Sequence, residues 1–318
     1  MHKDTDIQIH GYIDINPHSR QIMFLFFSKR FLSAFSTVLF SVSVSAQLLY
    51  EISGNGVEGK SYILATNRLV DMAFIDTIPN AFACFGKCNK VVTEFAMQDY
   101  EAIAVLRQAA VLPDSVRLSN FYSEEDYQQI DNALRLNIGM GLDQLCRMKP
   151  SYLTEMFRTE LLKQWLHYDE QRSMETFFEA VAQEKGMPVY GLDDAGETMY
   201  MLFDREPFHW QCEELKKVTE YPEREMKQER TLRDMYLMGR LSDMAFQVES
   251  PDNNTSISFS DYKVYAQRNV QWCKRLAPYL HAGGCFITLN AIYLGGDKGL
   301  LAVLREAGYR VRPVNRRK

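Results

Sequence analysis

The sequence predicts an α/β fold: a mixed sheet built from N- and C-terminal strand–turn–helix segments, with a large α-helical insertion between them. Three observations carry this. A β-prone apolar run, a polar turn and then helical spacing occur at both ends, over 61–78 and 285–307. The middle, about 123–248, keeps a helical period almost throughout. Strands alternating with helices imply a sheet covered by helices, and no repeat of solenoid length is visible. With 318 residues, 46% hydrophobic and 24% charged, the chain can bury a sizeable core and is neither disordered nor a multi-span membrane protein. Its net charge of −5, with no basic block, makes it a poor candidate for nucleic-acid binding.

The elements follow in order. QLLYEI (47–52) is an opening strand, Gly54-Asn55-Gly56 a turn, and SYILAT (61–66) a second strand, so 47–66 reads as a hairpin. Asp71 to Ala83 is a short helix interrupted near Pro79, and KVVTEF (90–95) is a strand that ends on Glu94. From Ser123 the period changes. Ser123-x-x-Asp126 resembles a capping box, and Tyr127, Ile130, Leu134 and Leu136 follow at roughly helical spacing in a block that runs to about Lys185, with a break at Lys149-Pro150. Gly186 to Asp193 is a buried-strand candidate after a glycine stop. Residues 206–248 form a second helical block, 251–256 (PDNNTS) a loop, and 261–281 another helix. CFITL (285–289) is a strand, 299–307 a helix stopped by Gly308, and 309–314 a final strand.

Residues 1–46 read as a signal peptide rather than as part of the fold. FLSAFSTVLFSVSVSA (31–46) is an uncharged run of 16 residues preceded by Lys29-Arg30, with Val44 and Ala46 as a small-x-small exit before Gln47. It is short for a bilayer crossing, which needs about 20 residues. Residues 1–22 are long and polar for such a leader, and Met23 offers an alternative start. The expected mature chain, 47–318, is then periplasmic or secreted, without a membrane span after cleavage. All six cysteines lie in it. An oxidising compartment permits disulfides, and Cys84 and Cys88 are the closest pair, with separate buried thiols as the alternative.

LLYEISGNGVEGKSYILATNRL resembles the opening of the TraB/GumN proteins, which include the Tiki-like metalloproteases and carry "LLWKI…SYLFGTxHL" there. Val91-Val92-Thr93-Glu94 fits the family's strand ending in Glu, and Gly191-Leu192-Asp193-Asp194 loosely matches its "GLET". Gln267-Arg268-Asn269 with Trp272, then NAIYLGGDKGLLAVLREAGYRVRPV, is similar to "ERN…W" and "GxxHLxGxxGLLxLLRxxGYxVxPV". The likeness spans the mature chain. The departures fall on the two G-x-x-H motifs, which the resemblance makes catalytic and metal-binding. The glycine positions are Ala65 and Asn290, the histidine positions are Arg68 and Tyr293, and the Glu of "ERN" is Gln267. The family-equivalent site positions are therefore Arg68, Glu94, Arg268 and Tyr293, with Glu94 the remaining metal ligand, if there is one.

Metal-assisted hydrolysis needs imidazoles or carboxylates converging on one cation with a position open for water. A guanidinium has no lone pair to give, and a phenol ligates only as phenolate, from a pKa near ~10. Of the remaining histidines, His167 is expected on a helix surface, His209 beside aromatics and His281 at a helix C-terminus; there is no HExxH or G-x-S-x-G. These readings favour a catalytically inactive pseudoenzyme with no cofactor, acting by binding a protein or peptide ligand. Two alternatives stand beside it. One is an active, peptidase-like hydrolase with a divalent ion such as Mn, Co or Zn on Glu94 with Asp71, Asp193 or Asp297. The other is a structural periplasmic protein. For the inactive form, an Arg68–Glu94 ion pair filling the old site is expected. The Met- and aromatic-rich stretch 197–210 reads as helix core or as the wall of an apolar groove.

Overall fold

The structure, a computed structural model, describes residues 47–96, 104, 108–249 and 259–315, and of 248, 249 and 259–263 the backbone alone. The expected signal segment and the 251–256 loop lie outside the described residues.

The described strands form one six-stranded sheet. They are β1 (Leu49–Ser53), β2 (Ser61–Thr66), β3 (Lys90–Thr93), β4 (Val189–Gly191), β5 (Cys285–Asn290) and β6 (Arg310–Pro313), in the order β4-β3-β5-β2-β1-β6. β1 and β2 make the expected hairpin, Leu49 opposite Leu64, and β6 closes antiparallel on β1. β2, β5, β3 and β4 run parallel, with Thr66 beside Asn290, Thr93 beside Thr288 and Thr93 beside Gly191. The two strand–turn–helix segments read from the sequence thus lie side by side. Every side chain of β2 and all but the last of β5 are buried, as in a parallel sheet covered on both faces. β4 is the exception to the reading of a buried strand: it is the sheet edge, and Tyr190 is exposed, because nothing pairs beyond it in the strand order.

A 3₁₀ turn (Met72–Thr77) and α1 (Ala81–Phe85) flank Pro79, where the sequence predicts an interrupted helix. The helical middle comprises α2 (Glu124–Ile138), α3 (Leu142–Leu145), α4 (Pro150–Leu166), α5 (Met174–Glu184), α6 (Ala195–Met199), α7 (Phe208–Glu220), α8 (Pro222–Leu237) and α9 (Leu241–Glu249). α10 (Phe259–His281) and α11 (Leu300–Glu306) follow. Local chemistry sets several ends. The Ser123 hydroxyl caps α2 by accepting from the Asp126 N–H at 3.1 Å, Gly139 ends it at φ 81°, and Pro150 opens α4 where its missing N–H costs no helical bond.

Two apolar cores result. The sheet core gathers Ile63, Leu64, Val91 and Ile287 with Trp272, Leu276 and Leu280 of α10, and Phe178 of α5 lies against Phe286 at 4.6 Å. The second core is helical and joins Ile130 and Leu134 of α2, Leu153 and Phe157 of α4, and Leu215 and Val218 of α7. Tyr236 of α8 ties the helices back to the sheet. It is fully buried, and its hydroxyl donates to the Ala65 carbonyl at 2.9 Å.

Candidate functional site

Four parallel strands put their carboxyl ends on one edge of the sheet, the usual place for a site in an open α/β sheet. Each end delivers one polar residue: Arg68 after β2, Glu94 after β3, Asp193 after β4 and Tyr293 after β5. Arg268 reaches them from α10.

Arg268 is the hub. Its Nε and Nη2 meet one carboxylate oxygen of Asp193 at 2.7 and 2.5 Å, and Nη1 donates to the Tyr293 hydroxyl and lies 3.6 Å from Glu94. The guanidinium stacks 4.3 Å from the Trp272 ring and 4.9 Å from that of Tyr293. Asp193 is further held by the indole N–H of Trp272 at 2.6 Å and by Arg275 at 3.2 Å. Burial opposes the charge on Arg268, but Tyr293, Glu94 and Asp193 outweigh it and keep its pKa above the ordinary value.

Glu94 accepts the Asn290 backbone N–H at 2.9 Å. Burial raises its carboxyl pKa to about 7, against the pull of Arg268 and with help from the neighbouring Glu175 charge. Burial also drives the Tyr293 phenol well above 10, with Glu94 adding to the rise. Glu175, at the start of α5, accepts from the Asn290 side chain at 3.2 Å and is likewise raised by burial.

Arg68 does not pair with Glu94, contrary to the expectation from the sequence. Its guanidinium lies 3.6 Å from Glu155 and 3.8 Å from Glu229, on α4 and α8. The reason is strand order: β5 lies between β2 and β3, so their ends stand about 10 Å apart. Arg158 completes this second cluster. It reaches Glu155, Glu214 and Glu225 at 2.9, 2.6 and 3.0 Å while 10% exposed. Burial alone would raise Glu155, yet Arg158 and Arg68 hold it below the usual range. Burial raises Glu229 against the pull of Arg68.

Both clusters face a cavity of about 950 Å³ whose lining includes Arg68, Glu94, Arg268 and Tyr293. Met201, Leu202, Phe203 and Trp210 line it too, carried by a π-helical turn over 200–204 and the start of α7. Such turns are rare and frequent at functional sites. The Met–aromatic stretch is thus a cavity wall. The insertion's Glu155, Arg158, Glu214 and Glu229 escaped the sequence reading. The i, i+3 spacing of Glu155 and Arg158 marks a helix face but not what that face meets.

The family-model comparison then decides the relationship: the TraB/PrgY/gumN family model matches residues 48–313. The chain belongs to the TraB/PrgY/gumN family. No curated protein and no solved structure matches it.

The donor set does not fit the divalent ion that the TraB/GumN resemblance implies. At the two histidine positions stand a guanidinium turned toward Glu155 and Glu229, and a phenol held protonated beside Arg268. Asp193 is taken up by Arg268, Arg275 and Trp272. Asp71 caps the 3₁₀ turn by accepting from Ala73 and pairs with Arg172 at 2.6 Å, and Asp297 is exposed and outside the cavity lining. His167 ends α4 at φ 54°, His209 stands 5.9 Å from Trp210, and His281 ends α10 beside the Tyr309 hydroxyl. Among the described residues no three His, Cys, Asp or Glu side chains are grouped to hold a metal, and no helix is long and apolar enough to cross a membrane.

Proposed function

We propose that this TraB/PrgY/gumN protein is an extracytoplasmic pseudoenzyme that acts by binding a ligand in the cavity at the strand ends. The single observation that supports the loss of hydrolysis is what stands at the two histidine positions: the Arg68 guanidinium, turned toward Glu155 and Glu229, and the Tyr293 phenol, which accepts from Arg268. A guanidinium has no lone pair to give a cation and adds a fixed positive charge, and the phenol offers no lone pair comparable to an imidazole nitrogen. Binding is supported by the cavity's size, which suits a small organic molecule or a short chain segment, and by its apolar wall. The extracytoplasmic location rests on the leader-like sequence of 31–46.

Metal analysis of the purified chain, coupled to a peptidase and esterase screen with and without Mn, Co and Zn, tests this reading. We expect no stoichiometric metal and no metal-dependent turnover. The paired reversion Arg68→His with Tyr293→His is expected to bind a divalent ion that neither the parent nor either single variant binds. A stoichiometric ion in the parent with matching hydrolysis would overturn the proposal and restore the active-hydrolase alternative.

A further inference from the structure

The cavity floor beside Arg68 is short of positive charge. Arg68 and Arg158 face four carboxylates within 4 Å, those of Glu155, Glu214, Glu225 and Glu229, and Glu175 acts on Arg68 as a fifth. The remaining cavity cations do little to correct this. Arg268 is committed to Asp193 and Glu94, and Arg205 lies 3.3 Å from Glu206. Lys217 is the remaining basic residue of the lining; over the whole lining five basic side chains stand against five carboxylates, so the shortage is local to the Arg68–Arg158 cluster, where Glu225 and Glu175 add to the lining carboxylates. Among the described residues Glu229 has one ion-pair partner, Arg68, at 3.8 Å, which is beyond hydrogen-bond reach. The raised carboxyl pKa values of Glu229 and Glu175, set first by burial, agree with this shortage.

A second, independent feature lines the same cavity. Leu202 and Trp210 on the apolar wall are 47% and 61% exposed, so a large aliphatic side chain and an indole face the water of the cavity mouth. Such surface is stabilised when an apolar group covers it, and an indole face also attracts a cation.

Resting on the reading of this chain as a binding protein, we propose that the cavity takes an amphipathic organic cation, its amine or guanidinium entering beside Glu155 and Glu229 and its apolar part lying on Leu202 and Trp210. A cationic head supplies the positive charge that two shared guanidinium groups leave wanting, in a site where partial burial strengthens the attraction. An anionic head of the same length would approach Arg68 only by entering the field of the surrounding carboxylates. A neutral head would gain the apolar contact alone.

Calorimetric and tryptophan-fluorescence titrations of the intact protein with octylammonium, octanoate and 1-octanol test this. We expect octylammonium to bind at least tenfold more tightly than octanoate, with an emission change that Trp210→Phe removes. Glu229→Gln should weaken octylammonium at least fivefold and leave 1-octanol unchanged. Should that variant fold poorly, the ranking of the three probes on the parent protein stands as the test. Octanoate binding as tightly as octylammonium, no binding of any probe, or a folded Glu229→Gln protein with undiminished octylammonium affinity would overturn the inference. Metal content and hydrolysis, measured on the same preparation, report separately on the pseudoenzyme reading, so either can fail without the other.

Discussion

Arg268 closes on a single carboxylate oxygen of Asp193 with two of its nitrogens, at 2.7 and 2.5 Å, where the Asp193 side chain is 4% exposed and that of Arg268 12%. The pair joins α10 to the end of β4, two elements far apart in sequence. A buried pair of this kind adds little net stability over an apolar replacement, but removing one partner strands a charge in a poorly solvated place.

Arg268→Met is therefore expected to cost about 3–5 kcal/mol of unfolding free energy. Arg268→Lys should recover only part, because an ammonium cannot reproduce the planar fork that serves Asp193, Glu94 and Tyr293 together. Adding Asp193→Asn to Arg268→Met should cost less than the two single losses combined, since no unpaired carboxylate is left at position 193. Urea unfolding, read as a shift in midpoint at constant slope, measures all three.

Glu94 makes stability depend on pH in the direction opposite to an ordinary ion-paired carboxylate. Its folded-state pKa, raised to about 7 by burial, lies above the usual 4.5. Below pH 4.5 both folded and unfolded chains hold the proton. As pH rises from 4.5 through about 7 the unfolded chain releases its proton first, and the folded state loses stability relative to it. Glu94→Gln keeps an acceptor for the Asn290 N–H and has nothing to ionise. It should therefore gain on the parent by on the order of 1–3 kcal/mol between pH 5 and pH 8. Unfolding curves of both proteins at the two pH values provide the comparison; a constant difference would mean that Glu94 titrates normally.

The strand ends were legible in the sequence, and the partners of the residues they carry were not. Arg68, Glu94 and Tyr293 each follow directly on a β-prone apolar run, so local pattern places them at the mouth of a sheet. Arg268 stands in a motif on a helix whose period is plain. Strand order is not a local property, however. Nothing in 61–68 or 90–94 reveals that β5 lies between them, and the expected Arg68–Glu94 pair failed for that reason. The same holds for β4: a short apolar run after a glycine reads as buried, and its edge position depends on which strands pair elsewhere. The insertion supplied the rest of the site from α4, α7 and α8, whose charged faces look like solvated surface until tertiary packing sets them around Arg68 and Arg158.

The cysteines give the last prediction. Cys84, Cys88, Cys146, Cys212, Cys273 and Cys285 are all free thiols, so the Cys84–Cys88 bridge that the sequence allowed does not form. Cys88, past the end of α1, instead donates to the Cys84 carbonyl at 3.4 Å. Burial, with the nearby Cys285, pushes the Cys88 thiol up to about 12, and burial also raises Cys84, Cys212, Cys273 and Cys285. Attack on a disulfide requires thiolate, so these thiols should react slowly in the native state even under oxidising conditions. The expected result is six titratable thiols after denaturation, few reacting with Ellman's reagent beforehand, and an unfolding midpoint unmoved by added reductant. A midpoint lowered by several degrees on reduction would instead require a disulfide, and with it a rearrangement of the segment that carries Cys84 and Cys88.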